Sequence, residues 1–293
     1  MPARALARVG YLGPAGTFTE EALLASAERD TVEPVAQATI YDAVLSLRRG
    51  EVEWAIVPIE NSLDGSVSVT LDLLAEEDAP ERIVGEAQLR VRHSLIAPAT
   101  VELGVIETVL THPQVPGQCL RFLRGELAAA RVLPSASTAE AVRSVVERND
   151  RTLAAIGTRL AAEIYGGTVL RDGIEDRDDN ETRFVWLAPD GEQPPPLVRG
   201  GEQWKTSIVF WGAGAESPGW LVRCLREFAD RGINLTKIES RPRRERLGRY
   251  MFFADLHGCA EEERVADAIA GVRLICEHVR VLGTYPAALA DGA

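Results

Sequence analysis

Residues 178–188 read DDNETRFVWLA, a polar segment that runs directly into an apolar run of strand-forming residues. The pattern predicts a loop that brings an amide, a hydroxyl and a guanidinium to the start of a buried strand. Because a strand end holds its side chains rigidly, such a junction suits a binding or catalytic site. Taken by itself, however, the segment is better explained as a solvated loop before a core strand, since short motifs are weak indicators.

The composition of the chain limits its possible functions. The 293 residues are enough for two domains, and the net charge of −12 argues against nucleic acid as a partner, since phosphate binding needs a basic surface. No apolar run is long enough to span a membrane, and the first residues lack the apolar core of a signal peptide. The four cysteines have no close spacing of the kind that metal sites or disulfide frameworks use. The sequence therefore predicts a soluble, cytoplasmic protein without membrane contact.

The first 189 residues alternate short apolar strands with helices. This order predicts mostly parallel sheets, in which ligands lie beyond the carboxyl ends of the strands. An extended segment near residues 82–96 is expected to lead into a second lobe. The turn after the first strand opens a helix that Thr17 or Thr19 can cap, and that helix start, like the one after Gly157, suits an anion.

Polar residues also follow two further strands. The segment 60–62 places Glu60, Asn61 and Ser62 at the end of the strand at 54–58. Residues 111–119, THPQVPGQC, bring a hydroxyl, a histidine and two amides to the start of a helix. Such groups are suited to substrate contacts, although His112 alone is more often structural than catalytic. In the segment 135–140, helix capping from Ser137 to Glu140 is enough to explain the hydroxyl groups.

The C-terminal part is set apart by residues 190–203, which contain three consecutive prolines and the glycine pair at 200–201 and are predicted to form a linker. Residues 204–285 follow a β-α-β-β-α-β pattern, which is a ferredoxin-like arrangement. Ser217 and Pro218 are expected to start its first helix. Because this part has no cysteine or histidine cluster, we expect it to bind a ligand or to pair with another domain rather than to catalyse a reaction.

Taken together, five segments closely resemble those of prephenate dehydratases and follow the order of that family. They are GPAGTF at 13–18, VPIENS at 57–62, THPQ at 111–114, STAE at 137–140 and TRF at 182–184. The part that contains ESRP at 239–242 is similar to the ACT regulatory domain that follows in the family. The resemblance thus spans nearly the whole chain.

The resemblance implies an α/β fold with two parts. The catalytic region, residues 1–189, is expected to be two-lobed and like a type II periplasmic binding protein, with crossings between the lobes near 82–96 and 165–180. An ACT domain at 204–285 and a tail at 286–293 complete the chain. The implied reaction is the decarboxylating dehydration of prephenate to phenylpyruvate in L-phenylalanine biosynthesis, with no metal or organic cofactor. Phenylalanine is the implied effector, and ACT domains are expected to pair into a homodimer or a homotetramer.

The resemblance also assigns site residues. The implied catalytic residues are Thr182, Arg183, Asn61, Glu60, Thr111 and Gln118, and substrate contacts are expected from Thr17, Ser62, Ser137, Thr138 and Thr158. We expect Thr182 to assist the departing ring hydroxyl, with Glu60 or His112 as the proton source, because an alcohol is a poor acid by itself. Arg183 is expected to hold the pyruvyl carboxylate through two hydrogen bonds.

The implied effector site departs from the family at one position. Its residues are Gly219, Trp220, Leu221, Asn234, Leu235, Glu239, Ser240 and Arg241. Family members usually have alanine where this chain has Trp220, so the indole is expected to fill part of the phenylalanine pocket, unless it points to solvent or to an interface. Two other functions stay open, namely an arogenate dehydratase and a non-catalytic amino-acid-binding sensor. Fusion to a chorismate mutase is not expected, since the sequence leaves no room for one.

Overall fold

The computed structural model describes residues 6–288, with the exception of 193, 194, 196, 198–200, 213, 215, 216 and 246. The described residues form three β-sheets with helices packed against them. Two sheets belong to the first 189 residues and build two lobes, and the third belongs to the C-terminal domain. No helix among the described residues combines the length and apolar character that a membrane crossing requires.

The first lobe contains a mixed sheet. Its strands are β1 (Ala7–Leu12), β2 (Val32–Gln37), β3 (Trp54–Asn61), β4 (Gly65–Ser66), β5 (Glu81–Arg90) and, from the end of the catalytic region, β11 (Glu181–Pro189). Its helices are α1 (Phe18–Ser26), α2 (Ile40–Arg48) and α3 (Ser68–Leu74), with a 3₁₀ turn at Arg29–Thr31. The strand order is β2-β1-β3-β11-β5, and β4 pairs with β3. β11 runs antiparallel to β3 and β5, because the chain returns from the second lobe beside the end of β3. The expectation of a mostly parallel sheet is therefore wrong for this half.

The second lobe lies between β5 and β11 in the chain. Its strands are β6 (Ser94–Ala97), β7 (Thr108–Thr111), β8 (Arg131–Pro134), β9 (Leu153–Gly157) and β10 (Thr168–Asp172), in the order β10-β6-β9-β7-β8. Its helices are α4 (Val115–Gln118), α5 (Leu120–Glu126), α6 (Thr138–Arg148) and α7 (Arg159–Tyr165), with a 3₁₀ turn at Leu103–Val105. The chain crosses between the lobes at residues 91–93 and 173–180. Two crossings at one side leave a cleft between the lobes.

Hydroxyl side chains cap the first turns of four of these helices, and one of them is Thr39, which accepts from the backbone N–H of Asp42 at the start of α2. Thr17 accepts a hydrogen bond from the backbone N–H of Glu20, and Ser137 accepts one from Glu140 at 3.0 Å. Thr158 caps α7 in the same way. A cap of this kind satisfies one of the backbone donors that a helix start leaves unpaired. The predicted caps at Thr17 and Ser137 are confirmed.

The C-terminal domain has the predicted ferredoxin-like order. Its elements are β12 (Trp204–Trp211), α8 (Trp220–Ala229), β13 (Leu235–Pro242), β14 (Tyr250–His257), α9 (Glu263–Ile275) and β15 (His278–Pro286), and the antiparallel sheet has the order β13-β14-β12-β15. The predicted helix start at Ser217 is wrong. Helix α8 begins at Trp220 after Gly219, which has a φ of 76° that glycine adopts without strain. Ser217 instead belongs to a turn, because its carbonyl accepts from the backbone N–H of Trp220.

The sheet of the C-terminal domain is buried on both faces. Ile208 and Phe210 of β12 pack toward α8 and α9, whereas Val209 and Trp211 belong to the same hydrophobic cluster as first-lobe residues such as Ile83. Each such side chain contributes about 1.5–3 kcal/mol when it leaves water. The domain is therefore docked against the first lobe through a continuous apolar interface.

The predicted linker also contacts the first lobe where the structure describes it. Leu197 forms a β-bridge with Ala27 and packs against the core of the first lobe. Pro194, Pro196 and Gly200, on which the linker prediction partly depended, lie outside the described residues.

Candidate active site

A cavity of about 500 Å³ lies in the cleft between the lobes. Apolar side chains such as Phe18 and Val115 form part of its wall, and a few polar groups converge on it. This composition is typical of small-molecule sites. The predicted site residues that line the cavity are Thr182, Asn61, Gln118, Thr17, Ser137 and Thr138.

Asn61 and Thr182 form a hydrogen-bonded pair at the first-lobe wall, because β11 and β3 pair in a register that places them opposite each other. Nδ2 of Asn61 donates to Oγ1 of Thr182 at 2.9 Å and to Oδ1 of Asn180 at 2.9 Å. Its Oδ1 accepts from the backbone N–H groups of Leu63 and Asp64, and these two donors fix which side of the amide is oxygen. The Thr182 oxygen thus accepts from Asn61, and among the described residues no acceptor is found for its own proton, which therefore remains for donation at the cavity wall.

Asn180 is part of this arrangement and is the amide of the polar segment before β11, although the family resemblance did not assign it as a site residue. It is 3% exposed and lines the cavity beside Asn61. Its position in the polar segment before β11 was a usable signal, since a buried amide needs a partner. Ser62, by contrast, does not line the cavity. Its Oγ accepts from the backbone N–H of Glu181, so Ser62 secures the start of β11 and its predicted substrate contact is corrected.

Arg183 points away from the cleft, because successive residues of a strand face opposite sides. Its side chain is buried against the C-terminal domain. Nε donates to Glu86 at 2.6 Å, Nη1 to Asp255 at 2.5 Å and Nη2 to the Tyr285 hydroxyl at 2.8 Å. The expected contact of Arg183 with the pyruvyl carboxylate is therefore wrong, since all three nitrogens of the guanidinium already meet partners at the domain interface.

Glu60 also lies on the side of β3 that faces the C-terminal domain. Its carboxylate pairs with Nζ of Lys237 at 3.0 Å and lies 3.6 Å from Nη1 of Arg183. Of the two expected proton sources, His112 lines the cavity and Glu60 does not. Lys237 also donates to the hydroxyl of Ser66 at 2.7 Å, and Ser66 is a residue of the cavity wall.

The buried interface network is charged. Burial acts to raise the pKa of Asp255, but the guanidinium of Arg183 and the hydroxyl of Ser207 outweigh burial and hold that pKa below its ordinary value. Burial acts to lower the pKa of the Arg183 guanidinium, but Tyr285 and the carboxylates of Asp255 and Glu86 outweigh burial and raise that pKa. Lys205 adds a second cation, which donates to Glu86 at 2.8 Å. The network therefore joins the domains through compensated charges.

Two predicted hydroxyl residues of the second lobe are buried away from the cavity. Thr111 is 1% exposed and donates to the carbonyl of Ile156 at 2.9 Å, which ties β7 to β9. Thr158 is 1% exposed and donates across the lobes to the carbonyl of Gly16 at 2.6 Å. Their hydroxyl protons are used within the protein, so the expected catalytic and substrate contacts of these two residues are corrected.

The lobes touch closely where Thr158 meets Gly16. Tyr165 donates to the carbonyl of Ala15 at 2.8 Å, and a Cβ on Gly16 would come within 2.7 Å of Ala161. Gly16 has a φ of 85°. Its N–H donates to the carboxylate of Glu20, and the N-terminus of α7 packs against this turn. The expected anion sites at the starts of α1 and α7 are thus occupied by contacts within the chain.

Comparison with known proteins follows the same division of the chain. The family model described as prephenate dehydratase matches residues 9–192, and the ACT domain model matches residues 215–273. A prephenate dehydratase of Mycobacterium sp. strain JLS is 39% identical over 296 residues, which cover 98% of this chain and 91% of that protein. The relative in Amycolatopsis methanolica, also a prephenate dehydratase, is 40% identical over 293 residues, which cover 98% of this chain and 90% of that protein.

The chain belongs to the prephenate dehydratase family. The crystal structure of prephenate dehydratase from Arthrobacter aurescens in complex with L-Phe is 36% identical, has a TM-score of 0.85 and covers 97% of this chain and 93% of that one. A structure described as GqqA, a novel type of quorum quenching acylase, is 27% identical with a TM-score of 0.84 and covers 96% of this chain and 98% of that one. One fold can carry different activities, so the reaction must be argued from the site.

Within this prephenate dehydratase family member, the ACT residues have distinct surroundings. Trp220 is 2% exposed and lies between Phe210 and Phe252 in the core of the domain, so the alternatives of solvent or an interface for the indole are excluded. Gly219 caps α8, and Leu221 packs at the edge of the same core. Of the remaining predicted effector residues, Leu235 and Glu239 are half-buried and Asn234 and Ser240 are exposed.

Arg241 differs from the other predicted effector residues because it contacts the first lobe. Its Nε donates to Asp72 at 2.8 Å and its Nη1 donates to Ser68 at 2.7 Å, both on α3. The arginine of the ESRP segment thus belongs to the contact between the domains. Together with Lys237, it places β13 beside the part of the first lobe that leads into the cavity.

Proposed function

We propose that the chain is a carbon–oxygen lyase that converts prephenate to phenylpyruvate, carbon dioxide and water in L-phenylalanine biosynthesis. The observation that carries this proposal is the Asn61–Thr182 pair in the cleft of a prephenate dehydratase family member. Thr182 lines the cavity, and we assign its proton to the substrate hydroxyl that has to leave. A hydrogen bond received from Asn61 strengthens the donation by Thr182, because linked hydrogen bonds polarise one another.

The reaction consumes one proton and needs no other reactant. As the C–C bond to the ring carboxylate breaks, its electron pair enters the ring, and the C–O bond to the ring hydroxyl breaks with its pair on oxygen. One proton converts the leaving hydroxide into water, and His112 is the proton donor that we assign, since it lines the same cavity. Aromatisation of the ring drives the step.

In this mechanism the carboxylates of the substrate are bound without lysine or arginine side chains. No arginine or lysine lines the cavity within the described residues. We assign the pyruvyl carboxylate to the N-terminus of α6, where Ser137 and Thr138 line the cavity and the helix dipole favours an anion. The lack of lysine and arginine in the described lining suits the carboxylate that is lost, because tight binding of that group in the ground state would oppose decarboxylation.

The direct experiment is a prephenate turnover assay that follows phenylpyruvate formation, with arogenate as the parallel substrate. Turnover of prephenate would support the proposal. Turnover of arogenate alone would show that the substrate is arogenate, the aminated form of prephenate. Binding of an amino acid without turnover of either substrate would instead identify a sensor. The same assay on a His112→Asn variant tests the proton source, since unchanged kcat would exclude His112.

Asn61→Asp is expected to impair the reaction although the two side chains have the same size. A carboxylate only accepts hydrogen bonds, so it would draw the Thr182 proton to itself and away from the cleft. We expect kcat to fall by ~10-fold or more, since general acid assistance typically contributes ~10²–10⁴-fold. Asn61→Ser is a useful control, because it shortens the side chain without adding a charge. A native kcat in the Asn61→Asp variant would contradict the role of this pair.

Control by L-phenylalanine and self-association through the ACT domain are part of the proposed function. The ACT domain match and the L-Phe complex of the Arthrobacter relative support the effector. Exposed apolar residues on the domain, Val222 at 60% and Ile238 at 48%, support pairing of two copies or four. Light scattering at several protein concentrations measures the molar mass of the assembly. A monomeric mass at every concentration would exclude self-association.

Trp220 is expected to weaken this control. Its indole fills the core at the start of α8, so it occupies space that a small residue would leave for an aryl group. Calorimetric titration should therefore show tighter L-phenylalanine binding for Trp220→Ala than for the native chain, with a coupling in the usual range of ~1–3 kcal/mol. The matched control is Trp204→Ala, because Trp204 is 43% exposed. Equal affinities for the native chain and Trp220→Ala would contradict the pocket-filling role.

A further inference from the structure

His93 lies at the first crossing between the lobes and is 1% exposed beside the cavity. The sequence offered no signal for it, since it is one of four histidines and stands between an arginine and a serine. Its ring Nε2 lies 2.9 Å from Oε1 of Gln118. We propose that His93 is a positioning residue that fixes the amide of Gln118 so that its N–H groups face the substrate. This inference rests on the proposed function, in which Gln118 contacts the substrate.

The hydrogen-bonding chemistry determines the orientation of the pair. An amide oxygen only accepts, so Nε2 of His93 must carry the ring proton that it donates to Gln118. Nδ1 of His93 is buried, and no described residue provides it with a hydrogen-bond partner. A proton on Nδ1 would therefore be left unpaired, which is more costly than an unpaired lone pair on a ring nitrogen. With its oxygen held by His93, the amide of Gln118 turns its two N–H groups away from the ring.

The surroundings keep the imidazole neutral. Burial lowers the pKa of His93 below its ordinary value, against smaller opposing effects of Gln118 and Glu175. The ring of Phe18 meets the imidazole edge to face, with 5.6 Å between the ring centroids. A neutral ring carries one proton, and the acceptor at Gln118 decides where that proton lies.

Both ends of Gln118 are tied to the segments that join the lobes. The backbone N–H of His93 donates to Glu175 at 2.9 Å, and its carbonyl accepts from Ile174 at 3.1 Å, so the two crossings hold each other. The carbonyl of Gln118 accepts from the backbone N–H of Asp176 at 2.6 Å. The backbone of Gln118 is thus held by one crossing and its side chain by the other. This support fixes the amide without placing His93 itself in contact with the reacting atoms.

The consequence for the reaction is a neutral donor on the second lobe. Thr182 stands on the first-lobe wall of the cavity and Gln118 on the second-lobe wall. The amide N–H groups are suited to a keto or carboxylate oxygen of the substrate side chain, which needs donors in a cavity whose described lining holds no lysine or arginine. A substrate held between the two lobes by such fixed donors requires little reorganisation as charge moves.

The test is a double-mutant cycle with kcat and KM measured separately. His93→Leu should lower kcat/KM by ~10-fold or more, whereas His93→Gln should restore most of it, because the glutamine amide places an N–H near the position of Nε2. In the Gln118→Ala background, His93→Leu should cause no additional loss. Additive losses, or no rescue by His93→Gln, would show that His93 only supports the fold.

A further variant keeps the proposal testable if His93→Leu does not fold. Gln118→Glu retains an acceptor for His93 but removes the N–H groups, so we expect it to fold with a native melting temperature and to lose activity at least as severely as His93→Leu. Native activity of Gln118→Glu would overturn the inference. Failure of the native chain to convert prephenate would refute the proposed function, whereas turnover by the native chain with an additive cycle would refute only the role of His93.

Discussion

Replacement of Thr182 by alanine should lower kcat for phenylpyruvate formation more than ~10²-fold, because it removes a preorganised donor that acts where charge develops. Asn61 already donates to the Thr182 oxygen at 2.9 Å, and Thr182 lines the cavity, so we assign its hydroxyl proton to the substrate. KM should change much less than kcat, since a donor used in the transition state contributes little to ground-state binding. Stopped or continuous assays of phenylpyruvate at saturating prephenate measure the effect.

Thr182→Ser is the matched control, because serine keeps the hydroxyl and loses only a methyl group. It should retain far more activity than Thr182→Ala. Both variants should unfold at nearly the temperature of the native chain, since Thr182 is half-buried at the cavity wall. Equal kcat values for the alanine variant and the native chain would remove Thr182 from the reaction. A loss explained by a lower melting temperature would assign it to the fold instead.

Arg183→Met should destabilise the protein by about 3–5 kcal/mol, because removal of one partner leaves buried carboxylates without compensation. Arg183 is 8% exposed, and its guanidinium donates to Glu86 and Asp255 at 2.6 and 2.5 Å. Arg183→Lys keeps the charge but loses the planar fork, so an intermediate loss of stability is expected. Guanidinium chloride unfolding, followed by tryptophan fluorescence, measures the free energy of unfolding.

Arg177→Met is the control for this second prediction. Arg177 pairs with Asp179 on the surface, where both side chains are 62% exposed, and its removal should leave the unfolding midpoint unchanged. Since Arg183 does not line the cavity, the KM of the folded Arg183→Lys variant should stay close to that of the native chain. A large rise in KM without loss of stability would show that Arg183 contributes to substrate binding.

The stability difference between native chain and Arg183→Met should depend on pH. The pKa of Asp255 is held below its ordinary value, so its contribution is fully present above the unfolded pKa of ~3.9 and is lost as pH falls through the lower folded pKa. The difference should therefore be largest near neutral pH and should shrink in acid. A difference that stays constant down to the acid transition would show that charge pairing at Asp255 is not its source.

The sequence predicted the architecture more reliably than the direction of individual side chains. The strand and helix pattern and the resemblance led to two lobes and a ferredoxin-like domain, and to Asn61 and Thr182 in the cleft. Arg183 was assigned wrongly because it was treated as one unit with Thr182, although alternation along a strand separates neighbours. That rule was available from the sequence. The partners of Arg183, in contrast, could not be predicted from the sequence, because they depend on how the C-terminal domain docks against the first lobe.

Other differences had no sequence signal. Thr111 and Thr158 are typical site hydroxyls by type, but only the packing between strands and between lobes shows that Ile156 and Gly16 already use their protons. His93 became visible only through its contact with Gln118. Such pairings join positions far apart in the chain, and a single sequence contains no information on which distant partner is chosen.

The close approach of Gly16 to Ala161 limits how this protein can change during evolution. A substitution at position 16 would need a strained backbone, at a φ of 85°, and would also push α7 away from the first lobe. The cleft would then be wider next to α7, although no residue that contacts the substrate had been changed. Tolerance to mutation at position 16 is therefore set by the distance between the two lobes. A compensating substitution would have to lie in the second lobe, where Ala161 is located.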